Sequence, residues 1–213
     1  GYDTIGRNHS MMSHPLARLG RHDDNPCRQD IEEIGGRIGV QLALNVILGD
    51  RKRIVRALAG PPLAVMGEGI PLVRRLNQVE VEAPFDLVIA SPGGHPKDVN
   101  VYQAQKALAH AALVTRPGGT IVIAAACTDG SGSQAYEDWL GRHGLASHAA
   151  VMERFAREGY CIGPHKAFQI ARDASRFVVR WHTAMPAALA GRLLLDPAAS
   201  VQAAVDEAVG RLA

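Results

Sequence analysis

Hydrophobic and polar positions change their pattern near residue 83. Before that point the order is mixed. The first 26 residues are polar, rich in histidine and without a regular period, so an irregular start is expected. Residues 28–38 (RQDIEEIGGRI) carry a short helical pattern, interrupted by Gly35 and Gly36. The stretch VQLALNVILGDRKRIVRALAG, residues 40–60, reads as two strands around a Gly-Asp turn, a β-hairpin with the basic run 51–53 at a solvated tip. A short helix is expected within PLVRRLNQVEVEAPF, residues 71–85, whose acidic patch and proline mark a boundary between lobes.

Beyond the boundary, strands and helices alternate. DLVIA (86–90) is an unbroken apolar run, as in a strand buried on both faces. An alanine-rich helix follows at 100–114, and RPGGTIVIAAA (116–126) reads as a turn and a second buried strand. The loop CTDGSGS leads to helical patterns at 134–140, 148–159 (with Gly159 as the stop) and 163–174, then a strand, RFVVRWHT, at 176–183. The last helix is expected to begin at Asp196 as N-cap with Pro197 as its first residue. This order predicts an α/β fold. A Rossmann-like lobe with a largely parallel sheet spans 84–213, preceded by a smaller α+β segment over 1–83.

Composition narrows the function classes. With 47% hydrophobic and 21% charged residues the chain is neither disordered nor fibrous. A net charge of +2 lacks the basic excess of a nucleic-acid binder, and no apolar run approaches the ~20 residues of a membrane span. Cys27, Cys127 and Cys161 are odd in number, scattered and without CxxC spacing, which points to a reducing cytoplasm rather than a disulfide or zinc framework. The chain begins at Gly1, without an initiator Met or a signal-peptide pattern.

Candidate chemistry concentrates in SPGGHPKDVNVYQAQKAL, residues 91–108, which runs from a strand end through a Gly-Pro loop into a helix. Asn100 is placed to cap that helix, with Gln103 three residues on as in a capping box. At about 100° per residue, Gln103, Lys106 and His110 share one arc, with Val101, Ala104, Leu108 and Ala111 opposite and Tyr102 beside Lys106. An amide, an ammonium and a phenol near a strand's carboxyl end suit a small carboxylate ligand. An ordinary amphipathic helix with its polar face in water gives the same pattern. His9 and His14 stand five apart, a spacing that fits no helical ligand pair, and incidental surface histidines would look alike. The loop DGSGS offers either backbone amides for a phosphate or a flexible turn. Cys161 and His165 are separated by Ile-Gly-Pro, which keeps them off a common helix face and argues against a Cys/His dyad.

Several of these stretches, taken in order, resemble the nickel-pincer-nucleotide lactate racemase family. They are GYDTIGRNH, NPCRQDIEEI, SPGGHPKDVNVYQAQKAL and RPGGTIVIAAACTDGSGS, with a weaker likeness at GYCIGPHKAFQIAR. The resemblance implies a racemase or epimerase of 2-hydroxy acids, working by reversible hydride transfer to a nickel ion held in a pyridinium nucleotide. His9 matches the family's nickel-ligating histidine, and Gln103 and Lys106 match residues that hold the substrate carboxylate, with Tyr102 beside them. The tethering lysine and the two acid/base histidines lie upstream of GYDTI in the family. The missing N-terminal part of the same protein is therefore an expected partner, and this chain alone is expected to be inactive. Lactate-specific members carry a tryptophan near the position of His165; His165 and Lys166 here imply a more polar or more acidic substrate.

Two other readings compete. DLVIA with RPGGTIVIA also resembles the late strands of an adenosylmethionine-dependent methyltransferase, although no glycine-rich loop follows an earlier strand. The third is a non-catalytic binding lobe that keeps the fold.

Overall fold

In the computed structural model, which describes residues 1–212 apart from the side chain of Tyr2, the histidine-rich start of the chain is helical. Helix α1 (Tyr2–Ser10) replaces the first part of the expected irregular segment and a 3-10 turn, Met11–Ser13, follows it, whereas residues 14–25 are irregular as expected. The reason is tertiary. Asn8 Nδ2 donates to the Cys27 carbonyl at 2.8 Å and to Asp30 Oδ2 at 2.9 Å, tying α1 to α2 (Pro26–Ile38). Asn25 caps α2, accepting the Cys27 N–H at 3.1 Å, and Pro26 starts it. Gly35 and Gly36 do not interrupt α2, because helix propensity is a weak prior against packing and the Arg28–Glu32 and Arg37–Glu33 pairs along its surface.

The hairpin forms as β1 (Ala43–Leu48) and β2 (Ile54–Gly60), antiparallel, with residues 51–53 exposed at its tip. Helix α3 (Pro62–Asn77) is longer than the pattern predicts and contains Pro71. Its buried Val65 and Gly69 are four apart, and a Cβ at Gly69 would meet Leu58 at 3.3 Å, so packing on the hairpin holds the helix through its proline. These elements form one compact unit, Gly1–Val81; a second, Glu82–Ala213, carries the parallel sheet.

The second unit orders its strands β3 (Phe85–Ala90), β4 (Thr115–Ala124) and β5 (Val178–His182), all parallel, with β4 central. Helix α4 (Val101–Ala111) connects β3 to β4. Helices α5 (Gln134–Arg142), α6 (His148–Glu158) and α7 (Pro164–Ala174) connect β4 to β5. Alternate residues of β4 serve two layers. Ile121 and Ile123 enter a core with Val101, Leu108, Ile170 and Trp181, while Val122 packs with Ala204 of the last helix. All three β4 residues are fully buried, as a strand covered on both faces requires.

After α8 (Ala187–Arg192) the chain departs from its expected end. Asp196 and Pro197 do not start a helix: Trp181 N–H donates to the Asp196 carbonyl and Ala198 N–H to the Trp181 carbonyl, both at 2.8 Å, extending the edge of β5. Helix α9 (Val201–Gly210) begins later, with Ser200 Oγ accepting the Ala203 N–H at 3.0 Å. Among the described residues, no helix is long and apolar enough to cross a membrane.

Candidate functional site

The loop 91–99 leaves the carboxyl end of β3 and delivers the chain to α4. Asn100 Oδ1 accepts the Gln103 N–H at 3.0 Å, so the cap forms. The reciprocal half of a capping box does not, because the Gln103 side chain is engaged elsewhere: its Oε1 accepts from Lys106 Nζ at 2.6 Å. The remaining first-turn donors, the Val101 and Tyr102 N–H groups, reach the Gly130 and Ser131 carbonyls at 3.0 Å each. The loop DGSGS is therefore not a loose turn; it braces the start of α4 through its carbonyls. The approach is close enough to demand glycine. At Gly132 φ is +71°, and a Cβ would sit 2.3 Å from Cγ of Asn100.

Helix α4 buries Val101, Ala104, Leu108 and Ala111 and leaves Lys106 and His110 exposed, with Tyr102 and Gln103 half-buried. Gln103, Lys106 and His110 line a cleft of about 630 Å³ at the end of β3, together with Ser91, Pro92 and Lys97. A larger hollow of about 820 Å³ lies between α5 and residues 191–194 and holds none of the candidate residues.

Helix α7 packs against α4 and brings His165 and Lys166 to Tyr102. Gly163 precedes α7 with φ +98°, and a Cβ there would meet Ala135 Cβ at 2.8 Å, which keys the start of α7 to α5. His165 Nδ1 lies 3.1 Å from the Gly163 backbone nitrogen and 3.3 Å from the Cys161 carbonyl oxygen, so the backbone around Gly163 fixes the ring. The His165 ring meets Tyr102 edge-on at 5.7 Å and Tyr160 at 5.3 Å. Lys166 Nζ lies 4.5 Å from the centre of the Tyr102 ring and donates to Gln169 Oε1 at 2.9 Å. Burial pushes the Lys166 ammonium down to about 8, and the charge of Lys106 adds to the shift.

The structure thus brings Tyr102, Gln103, Lys106 and His165 together within one unit. Gln169 escaped the sequence reading, although its spacing from Lys166 mirrors that of Lys106 from Gln103. His9 belongs to the first unit, in the last turn of α1, half-buried. Burial pushes the Cys127 thiol up to about 11, with Asp98 adding to the shift, and raises Cys27 as well; exposed Cys161 faces the Ile162 carbonyl.

Residues 80–210 match the lactate racemase C-terminal domain. The chain belongs to this family. The lactate racemase of Thermoanaerobacterium thermosaccharolyticum is 33% identical over 130 residues, covering 61% of this chain and 30% of that protein. That of Lactiplantibacillus plantarum is 32% identical over 137 residues, covering 63% and 32%. Among solved structures, the lactate racemase apoprotein from T. thermosaccharolyticum superposes with a TM-score of 0.89 at 27% identity, over 97% of this chain and 50% of that one. A structural genomics protein from Thermotoga maritima, at TM-score 0.57 and 17% identity over 83% of this chain and 48% of that one, shares the fold. The chain spans about a third of the length of the curated lactate racemases it matches. Membership leaves the methyltransferase-like reading without support.

Proposed function

We propose that this chain is the substrate-anchoring part of a 2-hydroxy-acid racemase or epimerase that works by reversible hydride transfer with a nickel-pincer nucleotide. The observation that carries the reading is the Lys106–Gln103 pair, opening on a cleft at a strand's carboxyl end in a chain of the lactate racemase family. With Gln103 Oε1 turned to the ammonium, the pair offers one carboxylate a cation and the Nε2 donors of the amide. The anchor matters because loss of hydride from C2 and of the hydroxyl proton leaves a planar 2-keto acid. Held by its carboxylate, that acid keeps its place until hydride returns to either face. Tyr102 adds an aromatic wall and a phenol beside the anchor.

The donor set suits the nickel nucleotide in one respect. Among the described residues no group of three His, Cys, Asp or Glu side chains stands ready to hold a metal by itself. A single imidazole, His9, fits a metal whose other ligands come from an organic pincer. When bound, the nucleotide would supply the hydride acceptor, with its tethering lysine outside this chain. The protein partner is then the N-terminal part of the same polypeptide, in the cytoplasm.

The test uses the complete protein, loaded with nickel and cofactor, and in turn a single enantiomer of lactate, 2-hydroxybutyrate and malate, racemisation of any one of which suffices. The opposite enantiomer should appear until the two are equal, and Lys106→Ala should lower kcat/KM by about 100-fold or more. Stable optical purity with the wild-type protein, or near-normal turnover by the variant, contradicts the reading.

A further inference from the structure

We propose that Lys166 is a second anion anchor, so that the substrate is a 2-hydroxy acid carrying a second carboxylate. The inference rests on the racemase reading above and names its substrate class. Its basis is a repeated arrangement on two packed helices. On α4, Lys106 Nζ donates to Gln103 Oε1 three residues away at 2.6 Å; on α7, Lys166 Nζ donates to Gln169 Oε1 three residues away at 2.9 Å. Tyr102 stands between the two pairs, four residues before Lys106 and with its ring 4.5 Å from the Lys166 ammonium.

The electrostatics of the pair are unusual. Lys166 is only 7% exposed, yet its partners are a neutral amide and an aromatic face, and its charged neighbour is another lysine. Among the described residues, neither Lys106 nor Lys166 forms an ion pair with a carboxylate. Buried lysines are ordinarily paired, because desolvating an ammonium without a counterion is unfavourable. Two cations with only neutral partners leave positive charge that an anion arriving from outside would balance. Lys106 opens on the cleft at the end of β3, whereas Lys166 lies away from that cleft, over the Tyr102 ring. Two separate points of attachment match two carboxylates on one molecule, not one carboxylate shared. A four-carbon diacid such as malate meets this requirement, and 2-hydroxybutyrate is the same skeleton with a methyl group in place of the second carboxylate.

The experiment compares these two acids with the complete, cofactor-loaded protein. The expected kcat/KM for malate exceeds that for 2-hydroxybutyrate by about 100-fold, and Lys166→Met lowers this ratio by about 100-fold. Calorimetric binding of each acid gives the same comparison independently of turnover, and the wild-type ratio needs no variant to fold. Racemisation of 2-hydroxybutyrate without a preference for malate overturns the inference and leaves the racemase reading standing, as does a ratio unmoved by Lys166→Met. If neither acid is racemised, the racemase reading falls. Calorimetry then decides the inference: malate bound about 100-fold more tightly supports it, and equal binding overturns it.

Discussion

At the scale of the residue, Lys166 couples the site to stability. Its ammonium is lowered to about 8 from the ordinary 10.5, so between those values the unfolded chain holds more protons than the folded one. Stability therefore rises with pH across that window, and the full penalty is felt below about 8. The groups around its ammonium are Lys106, Tyr102 and Gln169, and a variant that removes only the ammonium isolates its part. In denaturant unfolding of the complete protein, the stability of Lys166→Met relative to wild type should fall by about 2–3 kcal/mol between pH 8 and 10.5. A difference that does not change with pH would show that burial does not penalise this charge. Gln103 belongs to the same scale. Gln103→Ala keeps the cation but loses the amide, and kcat/KM of the complete enzyme should drop by about tenfold, less than for Lys106→Ala.

At the scale of the element, α4 is only as well placed as the loop that braces it. Gly132→Ala forces a Cβ onto the Asn100 side chain at a positive φ, which removes room for the cap and disturbs the carbonyls that take the Val101 and Tyr102 N–H groups. The variant should lose about 2 kcal/mol of stability, and its kcat/KM should fall even where it remains fully folded. Full activity in the folded fraction would show that α4 does not depend on this brace. This element also shows what a sequence can display. Period and cap residues marked α4, its buried face and its polar arc correctly, because all of them are local. The partner of the Gln103 side chain was not legible, since a capping box and a pair with Lys106 share the same spacing. The brace itself was hidden in DGSGS, whose glycines signal freedom of φ and not the contact that requires it.

At the scale of the whole molecule, the parallel sheet and its alternation with helices followed from apolar runs such as 87–90 and 121–123. The first of these was expected to be buried on both faces and is not: β3 lies at the edge of the sheet, and Ile89 is 54% exposed. The errors fall where tertiary contacts outweigh local preference: α1 is held by Asn8 on α2, α3 passes through Pro71 against the hairpin, and Asp196 pairs with β5 before Ser200 starts the last helix. Of the candidate site, α4 was readable as a pattern. Its junction with α7 was not, because nothing local in 160–169 announces that His165, Lys166 and Gln169 meet Tyr102.

The central claim is that these residues hold a 2-hydroxy acid while hydride leaves C2 and returns. The most direct measurement follows the C2 hydrogen: a single enantiomer deuterated at C2 is incubated in ordinary water with the complete, cofactor-loaded protein, and the product enantiomer is examined by mass spectrometry. Hydride transfer predicts an opposite enantiomer that retains its deuterium at C2. Replacement of that deuterium by solvent hydrogen would mean that C2 is deprotonated instead, and would contradict the account.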